Sequence, residues 1–335
     1  MRCIRLALAA CAALLGFAQA APAACACRMV KVGELPVRFE HDRPMIQVAV
    51  NGQPAWMLID TGAASSLIFG GAARALGLRA TTMGGGARFY GVGGGQDAYT
   101  AVVDRMSLAG ADARGLRFFV IGAGGGAQDA GVIGRDLLTN WDLEFDLAAK
   151  AVRLWTPQGC GDAVLSYWTQ SPDVADLRQA GRGEPYLVAL TLNGRRAEAM
   201  LDSGSVMTVL TPDAAQRAGV AAADYGEGPG AISGLGEHPV QSRFAKVAAV
   251  QVGAETVKST RLLVADMFAR DTESRTGSML GLRVEGLSLP DMLLGADFLR
   301  AHRVLLAPGQ HRMYFTYAGG PVFQAPDTPV AAPAR

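Results

Sequence analysis

Two aspartates stand in matching surroundings. Asp60 follows four apolar residues in WMLIDTGAASSLI (Trp56 to Ile68), and Asp202 ends the apolar run of EAMLDSGSVMTVL (Glu198 to Leu210). Each is followed by a hydroxyl residue and a glycine: Thr61-Gly62 and Ser203-Gly204. A carboxylate at the end of a core strand is held by a rigid element, and glycine lets the backbone turn and approach it closely. Two such carboxyls in contact cannot both ionise cheaply, so the pair shares one proton over a working pH range. That is a general base and a general acid in one site. The chemistry that fits is direct attack of water on an amide, with no covalent intermediate, no metal and no cofactor. The hydroxyls of Thr61 and Ser203 are placed to bond across the pair and fix the two loops.

The chemistry requires that the aspartates meet, and an internal repeat supplies the means. MIQVAVNGQPAWMLIDTGA (Met45 to Ala63) matches YLVALTLNGRRAEAMLDSGS (Tyr186 to Ser205), an offset of 142 residues between the acids. Gly52 and Gly194 each lie eight residues before the acid, and Asn-Gly between alternating apolar runs is a hairpin signal. Each half continues with a short helix closed by Gly77 or Gly219, the second opened by Thr211-Pro212. Glycine-rich tips follow, YGVGGG (Tyr90 to Gly95) and ISGLGE (Ile232 to Glu237), then strand pairs. Next come two apolar-Gly elements with short helices, VIGRDLL with Ile133-Gly134 and LLGADFL with Leu294-Gly295, and each half ends on a hairpin. From acid to this glycine the distance is 74 residues in the first half and 93 in the second, so the second half has a longer loop within about 266–290. Two β-rich halves with equivalent acids suggest a pseudo-twofold molecule, and an axis between the loops would bring Asp60 and Asp202 face to face.

The rest of the chain bounds the class. Lys plus Arg (31) and Asp plus Glu (30) balance, which excludes an electrostatic nucleic-acid binder. Arg2 and Arg5 precede a short apolar run to Ala20 that ends in AQA, the pattern of a secretory signal (1–20) cleaved after Ala20, with a retained anchor as the other reading. No later stretch is long and apolar enough to span a bilayer. The expectation is an exported protein, secreted or periplasmic, acting as a monomer on a peptide or protein. In such a compartment a disulfide is expected from Cys25 or Cys27 to Cys160. His41, His238, His302 and His311 form no metal spacing and read as surface or hairpin residues. The glycine runs do not sit between a strand and a long helix, which argues against a nucleotide loop. The divisions read as a leading segment (21–43), a first lobe (44–157), a linker (158–183), a second lobe (184–318) and a disordered Pro/Ala-rich tail (319–335).

Together these motifs resemble the aspartic proteases of pepsin and retroviral type, over about 44–318. The resemblance rests on Asp-Thr-Gly with Ala63, Asp-Ser-Gly with Ser205, and the two apolar-Gly elements. VIGRDLL is close to the corresponding retroviral segment, and YGVGG is similar to the pepsin flap with its tyrosine at Tyr90. It implies an all-β bilobal fold, two pseudo-twofold-related closed barrel-like lobes, and peptide-bond hydrolysis in the cleft between them by a dyad of Asp60 and Asp202. Thr61, Gly62, Ser203, Gly204 and Ser205 would support the loops. Tyr90, Gly91, Val92, Gly93, Gly234, Leu235 and Gly236 would form flaps over the substrate, with Leu67 and Ile68 adding to an apolar cleft. Retroviral enzymes carry further acids after Asp-Thr-Gly-Ala, one of them pairing with the Arg of the Gly-Arg element. Here those positions are Ala64, Ser65 and Ser66, so Arg135 lacks that partner, and the second half has Ala296 instead. Ser205 has a hydroxyl to offer its carboxylate and Ala63 has none, so Asp202 is expected to hold the charge and Asp60 the proton. The other reading of the chain is a non-catalytic peptide-binding module on the same fold.

Overall fold

The computed structural model describes residues 27–82, 88–268 and 289–323. The signal region, Cys25, most of the long second-half loop and 324–335 lie outside the described residues.

The first half runs β1 (Arg28–Glu40), β2 (Arg43–Val50), β3 (Gln53–Ile59), β4 (Leu67–Phe69), α1 (Gly70–Ala75), β5 (Thr81–Thr82), β6 (Arg88–Gly91), β7 (Gly94–Leu108), β8 (Ala111–Ile121), β9 (Gly131–Ile133), α2 (Arg135–Leu138), β10 (Asp142–Asp146) and β11 (Ala151–Gln158). The second half runs β12 (Asp173–Arg178), β13 (Leu187–Leu192), β14 (Arg195–Leu201), β15 (Val209–Leu210), α3 (Pro212–Arg217), β16 (Tyr225–Ile232), β17 (Val240–Val252), β18 (Glu255–Ala265), β19 (Met292–Leu294), α4 (Ala296–Ala301), β20 (His302–Ala307) and β21 (Arg312–Tyr317).

Each lobe closes on itself. In the first, β2 pairs β3, β3 pairs β9 in parallel, β9 pairs β4, β4 pairs β8 in parallel, β8 pairs β7 and β7 returns to β2. The second repeats this ring as β13, β14, β19, β15, β18 and β17. Closure removes the free sheet edges that two open sheets would leave. The entry hairpins turn at Asn51-Gly52 and Asn193-Gly194, all four with positive φ, as a two-residue turn matched to strand twist requires. Each Asn also ties its turn to the neighbouring hairpin: Asn51 Oδ1 accepts from the Arg105 amide and Asn193 Oδ1 from the Ala249 amide, both at 3.0 Å. Gly77 and Gly219 close α1 and α3 in the left-handed region, and Thr211 Oγ1 caps α3 by accepting from the Ala214 amide.

A six-stranded antiparallel sheet joins the lobes, in the order β1-β11-β10-β20-β21-β12. The pseudo-twofold passes between β10 and β20, where Leu143 pairs Leu306 and Phe145 pairs Val304. These four side chains are fully buried in a core continuous through both halves, each contributing about 1.5–3 kcal/mol by burial. On its other face the sheet buries Glu144, which accepts from Arg153 (2.7 Å), Arg303 (2.7 Å) and Trp155 Nε1 (2.7 Å).

This sheet changes the divisions read from the sequence. The segment 21–43 contains β1, and the presumed linker 158–183 contains β12. Both are outer strands of the central sheet, and each then crosses into its own lobe: β1 onto β2, β12 onto β13. Their partners β11 and β21 lie far off in sequence, so no local pattern marks them as part of the fold. The tail also starts later than 319, because Phe323 is buried against Phe298 and its carbonyl accepts from Thr260 Oγ1. His302 is not a surface residue. It is buried at the start of β20, stacked on Phe298, with Nδ1 at 2.8 Å from the Phe298 carbonyl and Nε2 at 2.9 Å from Glu255. Cys27 is bonded to Cys160, clamping β1 to the end of β11.

Candidate active site

Each aspartate is set by the strand before it and the apolar-Gly element beside it. Ile59 and Leu201 end β3 and β14 in the core, paired in parallel with Ile133 and Leu294. The next amide on each strand, that of Asp60 or Asp202, donates to the Ile133 carbonyl (3.0 Å) or the Leu294 carbonyl (2.9 Å). The chain then turns so sharply that two amides point back at the carboxylate. Gly62 (2.8 Å) and Ala63 (3.0 Å) donate to Asp60 Oδ1, and Gly204 and Ser205 (both 3.0 Å) to Asp202 Oδ1. Gly134 and Gly295 pass against the backbone of these turns. A Cβ on Gly134 would lie 2.8 Å from the Ser65 carbonyl carbon, and one on Gly295 2.5 Å from that of Met207.

A further pair of carboxyls, unremarked in the sequence, braces this arrangement. Asp136 accepts from the Ser66 amide (2.9 Å) and hydroxyl (2.7 Å), and Asp297 from the Thr208 amide (2.8 Å) and hydroxyl (2.6 Å). The same hydroxyls accept from the amides of Gly134 (2.9 Å) and Gly295 (3.0 Å). The signal was present: a hydroxyl six residues after each catalytic-type acid, and an Asp two residues after each apolar-Gly glycine.

The two turns meet on the pseudo-twofold. Thr61 Oγ1 donates to the Leu201 carbonyl (2.7 Å) and accepts from the Ser203 amide (3.0 Å). Ser203 Oγ donates to the Ile59 carbonyl (2.7 Å) and accepts from the Thr61 amide (3.0 Å). Both side chains are fully buried. This four-bond lock brings Asp60 and Asp202 into mutual hydrogen bonding. The approach needs glycine on both sides: a Cβ on Gly62 would sit 2.4 Å from the Asp202 carboxyl carbon, and one on Gly204 2.4 Å from that of Asp60.

Burial pushes both carboxyls up, because it disfavours their charged forms. Asp202 is pushed further by the Asp60 charge and by the hydrogen bond with Asp60, against the pull of the Ser205 and Gly204 amides. For Asp60 the other influences pull down: the hydrogen bond with Asp202, the Ala63 and Gly62 amides, and the guanidinium of Arg135. The two carboxyls therefore titrate as a pair that shares one proton. The bond from the Ser205 hydroxyl to Asp202, on which the expected assignment rested, is not formed. That hydroxyl donates to the Met207 carbonyl at 2.8 Å instead. The Ser205 amide already occupies the carboxylate side of the turn, and the short side chain bonds its own backbone two residues on.

Arg135 is fully buried behind the Asp60 turn. One terminal nitrogen donates to the carbonyls of Thr61 (3.1 Å) and Gly62 (2.6 Å), and Nε donates to the Gly183 carbonyl (2.9 Å). Main-chain carbonyls are thus among its acceptors, where 64–66 supply no side-chain acid.

The glycine-rich tips touch over the site. The β6–β7 hairpin turns at Val92-Gly93, and its carbonyls accept from the second tip: Val92 from the Gly236 amide (3.1 Å) and Gly93 from the His238 amide (3.0 Å). Gln96 Nε2 donates to the Leu235 carbonyl. The tips also exchange side chains. Val92 packs on the second-lobe cluster of Met200, Val206 and Met207, and Leu235 on the first-lobe cluster of Ala63, Leu67 and Phe89. Gly234 and Gly236 leave no room for a Cβ against Val92 and Gly93-Gly94. Tyr90 lies over its cross-strand partner Gly95, whose added Cβ would be 2.7 Å from the ring. Phe89, on the other face of the strand, enters the cluster beside Ala63. Leu67 and Ile68 are core residues with no exposed surface.

No curated protein sequence matches the chain significantly. A family model described as aspartyl protease matches it twice, over residues 46–137 and again over 188–298. The two matches cover the two barrels and contain Asp60 and Asp202 respectively. The chain belongs to the aspartyl protease family, with one retropepsin-like unit in each half.

Proposed function

We propose that the protein is an exported aspartic endopeptidase that acts as a monomer and cuts peptide bonds with the Asp60–Asp202 dyad. The observation that carries the reading is the contact of two buried carboxyls, each held by two turn amides and both locked by Thr61 and Ser203. A water between the carboxyls loses a proton to Asp60 as it attacks the scissile carbonyl. Asp202 donates its proton to the carbonyl oxygen to give a gem-diol; as the C–N bond breaks, the proton on Asp60 passes to the leaving amine and a diol hydroxyl returns its proton to Asp202, which restores the starting dyad. Such paired proton transfers supply about 10²–10⁴-fold each, and the buried setting strengthens both. The joined tips must part to admit a peptide and close again to exclude water. Among the described residues no helix is long and apolar enough to cross a membrane.

The test is cleavage of a peptide library by purified protein across roughly pH 4–8, the range in which such dyads titrate. Cleavage should vanish in both Asp60→Asn and Asp202→Asn. Full activity in either variant overturns the dyad mechanism. Peptide binding without cleavage at every pH replaces the enzyme with a peptide-binding module.

A further inference from the structure

The lobes provide nearly identical settings for the two aspartates. Both carboxylates accept from two turn amides, both turns are crossed by a hydroxyl from the other lobe, and both rest on a braced apolar-Gly element. One chemical difference lies directly behind the turns: Arg135 in the first lobe, Ala296 at the equivalent place in the second.

The carbonyls that Arg135 contacts are not arbitrary. The Thr61 carbonyl and the Gly62 amide belong to one peptide group, and the Gly62 carbonyl and the Ala63 amide belong to the next. Those two amides are the donors to Asp60 Oδ1. The guanidinium therefore holds the far end of both peptide groups whose near ends hold the carboxylate. A cation on a carbonyl oxygen polarises the peptide and strengthens the donation by its N–H, and in a low-dielectric setting that chain of bonds is cooperative. Arg135 thus acts on Asp60 as a charge and through two relays, whereas the methyl of Ala296 offers the Ser203 and Gly204 carbonyls no donor.

We propose that Arg135 is a positioning residue that assigns the dyad its roles, holding the negative charge on Asp60 as the base and leaving the proton on Asp202 as the acid. The proposal rests on the dyad reading above and adds direction to it. Among the described residues, the charged and titratable groups that act on Arg135 include Asp60, Asp202, Glu184 and Tyr186. Asp136, on the same helix, is turned to Ser66. Guanidinium keeps its charge even when buried, so the bias persists across the working range.

The first experiment needs no variant and no substrate. Carboxyl ¹³C shifts of labelled aspartates in the wild-type protein are followed against pH. Asp60 should ionise first on raising the pH, with Asp202 keeping its proton well above the usual carboxylate range; the reverse order overturns the proposal whether or not the protein cleaves peptides. The second compares Arg135→Met, which keeps the stem without the charge, with Arg135→Lys, which keeps the charge without the fork. In Arg135→Met the Asp60 titration, and with it the acid limb of kcat/KM, should move up by about one pH unit, since a nearby Arg lowers a carboxylate by about 1–3 units. Below the limb this is a tenfold loss. In Arg135→Lys the limb should move less than in Arg135→Met. A uniform fall in kcat, or a lower melting temperature with the limb unmoved, makes Arg135 structural only. An unmoved limb with an unmoved carboxyl titration overturns the proposal even if the enzyme reading stands. If Arg135→Met does not fold, the wild-type order of ionisation still decides.

Discussion

Replacing Thr61 by Val tests the lock between the lobes with little change of shape. The side chain is fully buried, and valine fills nearly the same volume, so cavity formation contributes little. What is lost is polar. The Thr61 hydroxyl donates to the Leu201 carbonyl and accepts from the Ser203 amide. Both partners then remain buried without that bond. Each such group costs about 1–3 kcal/mol, so the variant should lose about 2–6 kcal/mol of a total that for a folded domain is about 5–15 kcal/mol. Thr61→Ser keeps the hydroxyl and loses one buried methyl, which costs about 0.5–1.5 kcal/mol. Ser203→Ala strips the Ile59 carbonyl and the Thr61 amide in the mirror-image way. Because both hydroxyls fix the same pair of turns, the double variant should lose less than the sum of the singles, by about 0.5–3 kcal/mol. Urea unfolding followed by tryptophan fluorescence measures all four. The reasoning is refuted if Thr61→Val costs less than about 1 kcal/mol, or if Thr61→Ser costs as much as Thr61→Val.

Two further outcomes follow from particular bonds. Ser205→Ala removes a hydroxyl that serves the Met207 carbonyl and leaves the Ser205 amide on Asp202, so the pH profile of peptide cleavage should not move; a shift of its limbs would return the hydroxyl to the carboxylate. The Cys27–Cys160 bond joins residues 133 apart, and closing so long a loop is worth up to about 5 kcal/mol in the chain-entropy account. Cys27→Ser should therefore lower the melting temperature of the oxidised protein and make it insensitive to reductant, and an unchanged melting temperature would count against that contribution.

Much of the fold was legible where a local residue type is required by local geometry. Asn-Gly at 51–52 and 193–194 marked turns that need positive φ, and Gly77 and Gly219 marked helix ends for the same reason. The repeat revealed two lobes because each half must bury its own barrel. The strands β1 and β12 were missed because their place is decided by partners about 130 residues away, β11 and β21. The register of such a pairing leaves no trace in a short window. At the site, Asp60 and Asp202 stood out by type and by repetition. The direction of the Ser205 hydroxyl did not, since a serine beside a carboxylate has its own backbone as an equally near acceptor. The environment of Arg135 was illegible too, because the carbonyls of Thr61, Gly62 and Gly183 that accept from it are main-chain groups, which every residue carries.

Symmetry sharpens what Arg135 can mean. In a homodimer built from one such unit, a residue that biased one carboxyl would bias its twin equally, and any division into acid and base would have to come from the substrate. Two units in one chain are free of that constraint. Here the shared framework has stayed symmetric, down to matching distances in the Thr61–Ser203 lock and the Ser66–Asp136 and Thr208–Asp297 braces. The difference lies one layer behind, at Arg135 against Ala296, where it alters charge without disturbing contact between the carboxyls. That separation is physically economical. Changing a lock residue moves both aspartates together, whereas a cation placed behind one turn acts mainly on the carboxylate whose amides it polarises. Two units in one chain can thus have a fixed base and a fixed acid when only one lobe carries the arginine.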